Sequence, residues 1–325
     1  MTDMSHYIKT LNIQNFKCFD NFKVEGLARV NLITGKNNIG KTALMEAIGI
    51  NVYAQDIKTF TNALASIKMI RETLNTDGAI GYLNTQQIKK YIKPTAGVCI
   101  ESNINTTAFS IFDKDGVVKY NFKFLDKEIS VNVRDFSFEI DRVPNIVALD
   151  NFGFPNCVIN EYYSYLQKLE QEDFLNQSLN KFDERIQGFK IIDDKPHCKV
   201  NGKYVELTEL GDGTHHLVSI IVALFASKEG YFLVDEIDNG VHFEKLDSFW
   251  EIILFLSKSK NIQVFATTHS KECIESYARV AQKMEDKDIT LIELGKSDGE
   301  LKNIVFNYEA VIDYALYQHS DIRGW

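Results

Sequence analysis

The stretch GKNNIGKT, Gly35 to Thr42, decides the fold. It satisfies G-x-x-x-x-G-K-[ST] at every fixed position, and it lies where that pattern has a physical meaning. Before it runs ARVNLIT, an apolar strand ending at Gly35. Behind it Leu44, Ala47, Ile48 and Val52 recur at helical spacing. Gly35 and Gly40 let the backbone turn its N–H groups inward around phosphate oxygens. The helix N-terminus adds positive potential. Lys41 supplies a point charge for the β and γ phosphates, and Thr42 a hydroxyl for Mg²⁺.

A phosphate cradle needs a metal partner, and YFLVDE offers one. Tyr231 to Val234 read as a short, wholly apolar strand that ends in two carboxylates. Asp235 is placed to hold Mg²⁺, and Glu236 to orient or deprotonate a water. QVFATTHS sets His269 just past another buried strand, within range of a γ-phosphate. LGDGTHH, Leu210 to His216, puts two glycines ahead of a helix. It suits a second phosphate-binding helix N-terminus, or a tight turn with Thr214 as the cap.

Further out, YIKTLNIQNF alternates like a half-buried strand. Residues 54–93 read as mostly helical. Between Val98 and Leu149, VCIESNI, AFSIF, VVKYNFKFL and EISVNVRDFSFEI are rich in β-branched and aromatic residues. DKDG, Asp113 to Gly116, marks a hairpin there. Residues 158–187 return to the helical period. Helices are expected over Leu217–Ala226, Leu246–Leu256 and Cys273–Met284, and a strand over Ile262–Ala266. Such alternation of strands and helices argues for a parallel sheet.

Composition limits the function classes. The chain has 325 residues, 45% of them hydrophobic, which excludes disorder and leaves room for a large core. A net charge of −9 weighs against general binding to nucleic-acid backbones. Five scattered cysteines without a C-x-x-C pair read as reduced thiols of a cytoplasmic protein. The longest apolar run, Leu217–Ala226, is about half a membrane span.

Taken in order, NFKCF, GKNNIGKT, LGDGT, LVDEIDNGVHF and VFATTHS resemble the ATP-binding-cassette class of P-loop ATPases. Within it they resemble the RecF and SMC heads. More narrowly they resemble the overcoming-lysogenization-defect (OLD) group and its single-domain AAA-type cousins, found in antiphage defence. The resemblance covers the first ~55 residues and most of 200–325. It implies an α/β ABC-ATPase head, a P-loop NTPase with a mixed sheet and helices. The head would be built from 1–55 and 200–325, with 56–199 inserted (β-rich about 97–150, helical about 155–190).

The resemblance also implies roles. Lys17, Cys18, Gly35, Asn37, Asn38, Gly40, Lys41 and Thr42 would contact ATP. Thr42 and Asp235 would hold Mg²⁺. Glu236, His269 and Lys41 would carry out hydrolysis, and Asp238 to His242 would form the D-loop that bridges two heads. Gly211, Asp212 and Gly213 match the loop that contacts the γ-phosphate of a partner subunit. A homodimer sandwiching two ATP molecules follows, with assembly beyond the dimer left open. Two departures stand out. Gly211 replaces the usual signature serine, which implies slow hydrolysis or a trans contact through backbone N–H groups. NIVALDNF offers Asp150 and Asn151 where a Q-loop glutamine is expected.

There is no long heptad series for an SMC-type arm. The stretch after His269 is shorter than a Toprim nuclease domain, so a separate nuclease or toxin effector is expected. A RecF-like role in DNA repair and a non-catalytic ATP-binding scaffold are the alternatives. A GTPase reading rests on NKFD, Asn180–Asp183, and on D-x-x-G, Asp150–Gly153, but NKFD lies in a helical run with no strand to deliver it to a base. A metal-hydrolase reading rests on His197, His215, His216, His242 and the pair His269–Cys273, without a recognisable full ligand set. Asp286 to Asp288 read as a solvated charge run.

Overall fold

The computed structural model describes residues 6–54, 56, 59–60, 97–114, 117–124, 127–132 and 145–317. The helical reading of 54–93 falls almost wholly outside these residues. So do the tip of the DKDG turn and the 133–140 part of EISVNVRDFSFEI.

The chain opens with a hairpin, β1 (Thr10–Phe16) and β2 (Phe19–Glu25), followed by β3 (Val30–Gly35) and α1 (Lys41–Tyr53). The β-rich stretch supplies β4 (Val98–Ser102), β5 (Thr106–Lys114), β6 (Val117–Phe124), β7 (Lys127–Asn132) and β8 (Ile146–Leu149). Two helices follow, α2 (Asn156–Lys168) and α3 (Glu172–Phe182). Next come β9 (Ile186–Ile192), β10 (Lys195–Val200) and β11 (Lys203–Glu206). The last part holds α4 (Asp212–Ala226), β12 (Tyr231–Val234), α5 (Leu246–Ser259) and β13 (Gln263–Thr267). It ends with α6 (Lys271–Lys283), β14 (Ile289–Ser297), β15 (Glu300–Phe306) and the short α7 (Tyr308–Ile312).

The central sheet has the order β15-β14-β3-β13-β12-β8. All its neighbours pair in parallel except β14 with β15. β3, β12 and β13 are buried at every residue, as strands covered on both faces must be. Alternate side chains feed two cores. Leu32, Phe232, Val234, Val264 and Ala266 face the layer of α2 to α6. Ile33, Tyr231, Leu233 and Phe265 face α1 and the second sheet. That second sheet is antiparallel, in the order β2-β1-β4-β5-β6-β7. The β-rich stretch is therefore hydrogen-bonded into both six-stranded sheets. β4 pairs with β1, and β8 is the edge strand of the central sheet beside β12.

Several expectations are corrected. The helical run at 158–187 is two helices broken at Glu170, whose φ is +54. Ile186 belongs to β9, in a three-stranded sheet of order β11-β10-β9 that the sequence reading passed over. Thr214 is not a cap: α4 begins two residues earlier, its N-cap is Gly211, and Thr214 is buried. NKFD runs off the end of α3, and Asp183 pairs with Arg185. The DKD run is not solvated at its first residue. Asp286 is 2% exposed and forms an ion pair with Arg29, which also bonds Ser257 and, at 3.3 Å, the Leu254 carbonyl.

The Arg29–Asp286 pair ties the start of β3 to α5 and to the loop before β14. Removing Asp286 leaves the buried Arg29 guanidinium with only the more distant Asp288 carboxylate, 3.9 Å from its Nε. Asp286→Ala is expected to cost about 3–5 kcal/mol in urea unfolding. An unchanged midpoint would show the pair to be dispensable.

Candidate functional site

Parallel pairing brings the C-terminal ends of β3, β12 and β13 to one edge of the central sheet. The glycine loop leaves β3 there. Gly35 has φ +149 and lies so close to β14 that a Cβ would stand 2.7 Å from the Leu294 carbonyl. Gly40 has φ +121, and its Cβ would meet Cys18 Sγ at 2.8 Å. Asn38 between them is also left-handed, at +60. Helix α1 starts at Lys41 without a side-chain cap, so its first N–H groups suit an anion.

A cleft of about 690 Å³ opens over this N-terminus. Lys17, Cys18, Asn37, Asn38, Gly40, Lys41, Thr42, Asp235, Glu236 and His269 all line it. The Lys41 ammonium is held by the carbonyls of Gly35 (2.7 Å) and Lys36 (3.0 Å), and lies 3.2 Å from His269 Nδ1. Burial pushes its pKa down to about 8, against the pull of Asp235 and Glu236. Lys17, left-handed at φ +53, reaches the cleft while paired with buried Glu46.

The carboxylates follow from β12. Thr42 Oγ1 donates to Asp235 Oδ2 at 3.0 Å across 193 residues of chain. A hydroxyl and a carboxylate oxygen side by side are a hard-oxygen donor pair, which fits Mg²⁺. Asn151 Nδ2 donates to Glu236 Oε2 at 3.3 Å, and His269 Nε2 lies 3.6 Å from Glu236 Oε1. Asn151 thus stands where the Q-loop residue was sought, against the Glu236 carboxylate. Burial raises the Asp150 carboxyl, the Phe152 and Gly153 N–H groups oppose this, and the Asp235 charge adds to it.

Gly211, Asp212 and Gly213 do not line this cleft; they form the start of α4. Gly213 packs on the turn after Glu236 so closely that a Cβ would stand 2.4 Å from the Gly240 carbonyl. His216, with its pKa pushed by burial to about 4, bonds the Ile237 carbonyl at 3.1 Å and fastens α4 to the same turn. Thr268 Oγ1 donates to Asp238 Oδ1 at 2.7 Å. Cys273 is fully buried, with Asp238 and Thr268 beside its thiol, so it does not join His269 as a ligand pair. The metal-hydrolase reading loses that support. The sequence reading missed Thr267 and Thr268 as bonding partners of the acidic segment, although both stand in the quoted VFATTHS.

This fold and cleft define a P-loop ATPase head. The family described as "AAA domain, putative AbiEii toxin, Type IV TA system" matches residues 30–275, and the chain belongs to that family and is an ATPase. It is 27% identical, over 90% of its length, to a Helicobacter pylori protein named ATP/GTP phosphatase, 93% of which is covered. The fold is that of SMC heads. An SMC head bound to the C-winged helix domain of ScpA superposes with a TM-score of 0.53 at 13% identity, covering 93% of this chain and 98% of that one. An Smc head with an extended coiled coil, bound to the C-terminal domain of ScpA derived from Pyrococcus furiosus, gives 0.52 at 13% identity, over 97% and 100%. No helix among the described residues is long and apolar enough to cross a membrane.

The contact of Gly213 with Gly240 leaves no space for a methyl group. Gly213→Ala is expected to lower unfolding free energy by about 1–3 kcal/mol. Gly188→Ala is the control, because its Cβ would meet nothing nearer than 3.7 Å. Equal stability of the two variants would refute the reading.

Proposed function

We propose that the chain hydrolyses ATP with Mg²⁺ and uses the cycle as a switch. The observation that carries this is the meeting of Lys41, Thr42, Asp235, Glu236 and His269 in one cleft. Asn37, Asn38, Gly40 and the start of α1 would cradle the phosphates. Lys41 would set its charge on the β and γ phosphates, with Gly35 shaping the loop. Lys17 and Cys18 would border the phosphate side. Thr42 and Asp235 would hold Mg²⁺, which when bound neutralises charge on the phosphate oxygens.

Glu236 would take the proton of the attacking water as its oxygen bonds to the γ-phosphorus and the bond to ADP breaks. Asn151 would hold that carboxylate in place. His269, between Lys41 and Glu236, would contact the γ-phosphate and register its loss.

Two heads would close on two ATP molecules, each offering Gly211 to Gly213 to the other's γ-phosphate. The SMC-head fold supports this reading, as does the position of that loop outside its own chain's cleft. The head would be built from 1–55 and 200–325, joined by β8 from the inserted stretch. The motif order supports a place in the OLD-like group, and the family description, which includes a toxin of a toxin–antitoxin system, supports a role in defence. The homodimer would then act on a separate nuclease or toxin effector, Toprim- or HNH-like, against phage.

Lys41→Ala is expected to abolish nucleotide binding, and unchanged affinity in calorimetry would refute the P-loop assignment. Glu236→Gln is expected to bind ATP normally, to lose hydrolysis by about 10²–10⁴-fold, and to accumulate as a closed dimer in light scattering. Capture from the native host with this variant tests the role: DNA without a protein effector would favour RecF-like repair instead.

A further inference from the structure

Thr267 does not line the cleft, yet it bonds the segment that carries both carboxylates. It is the last residue of β13 and is fully buried. The parallel register sets Val234 beside Ala266, so Asp235 and Thr267 leave the sheet as neighbours. The Thr267 hydroxyl donates to Asp235 Oδ1 and accepts from the Glu236 N–H at 2.8 Å. A hydroxyl has one proton, so giving it to Asp235 fixes which lone pair is left for Glu236. The Thr267 carbonyl accepts from the Ile237 N–H at 2.9 Å. One residue therefore holds three in a row, 235 to 237.

Glu236 needs such holding. Its φ is +50, a left-handed conformation that disfavours a side-chain-bearing residue and persists only where neighbours impose it. The Thr267 bond fixes its N–H, and the Asn239 N–H fixes its carbonyl at 2.9 Å. That backbone aims the carboxylate at Asn151 and His269. Thr268 does not share the task, because its hydroxyl goes to Asp238.

We propose that Thr267 is a positioning residue for hydrolysis. Its single hydroxyl locks the metal-side carboxylate Asp235 to the backbone of the base Glu236, so that neither shifts without the other. The inference rests on the reading of Glu236 as the base.

The test compares Thr267→Val, which keeps the shape and loses the hydroxyl, with Thr267→Ser, which keeps the hydroxyl. Turnover with Mg-ATP is expressed per chain competent to bind ATP, taken from calorimetric stoichiometry, so that misfolded protein does not enter. T267V is expected to lose kcat by about 10- to 100-fold, with ATP affinity within about threefold of wild type. T267S is expected to retain at least about half of kcat. A T267V variant that turns over like wild type, beside an inactive Glu236→Gln, overturns this inference alone. So does a T267S variant as impaired as T267V, because the hydroxyl is then not the cause. A Glu236→Gln variant with wild-type turnover overturns the reading of the base and this inference with it.

Discussion

Everything at the cleft depends on three parallel strands ending at the same edge. Residues 35, 235 and 267 are far apart in the chain, and the hydrogen-bond register of β3, β13 and β12 delivers them together. Parallel strands need crossovers, and those crossovers are the helices that bury both faces. The full burial of β3, β12 and β13 is thus the condition under which a phosphate cradle, two carboxylates and a histidine meet. The Arg29–Asp286 ion pair secures the opposite end of β3, where the strand enters the sheet.

At the edge itself the backbone leaves ordinary conformations. Gly35, Asn38, Gly40, Glu236 and Gly240 all have positive φ. The glycines adopt it freely, but at Glu236 such geometry persists only when neighbours over-determine it, and here they do. The two threonines at the end of β13 grip the acidic segment after β12, Thr267 at 235–237 and Thr268 at 238. His216 and Gly213 press the start of α4 onto the same turn. The loop after β8 joins from the other side, with Asn151 on Glu236 and Asn239 on the Asn151 carbonyl.

Most of the head was legible because its signals are local. The glycine loop, four apolar residues before Asp-Glu, and a histidine after an apolar run each need only a few residues to be recognised. The misses have physical reasons. The sheet β9-β10-β11 carries a plain hairpin signal in Asn201–Gly202, both left-handed, but the helical spacing of Leu175, Leu179 and Phe182 continues by coincidence onto Ile186, the first residue of β9. Asp286 sits in a charged tripeptide, and nothing in the chain nearby foretells that Arg29, 257 residues away, will bury it. Thr214 looked like a cap because it follows glycine, yet the helix starts where Gly211 takes φ +87.

The sequence by itself determined the class of machine: a P-loop strand and helix, an acidic strand end and a histidine behind a third strand. Each is a contiguous pattern whose chemistry follows from its residue types. Only the tertiary structure decided how these parts are held. It put Asn151 against Glu236, set Thr267 between Asp235 and the Glu236 backbone, and brought Gly213 against Gly240. It also wove the strands between Val98 and Leu149 into both six-stranded sheets. Those contacts come from sheet register and close backbone approach, which no short window of sequence encodes.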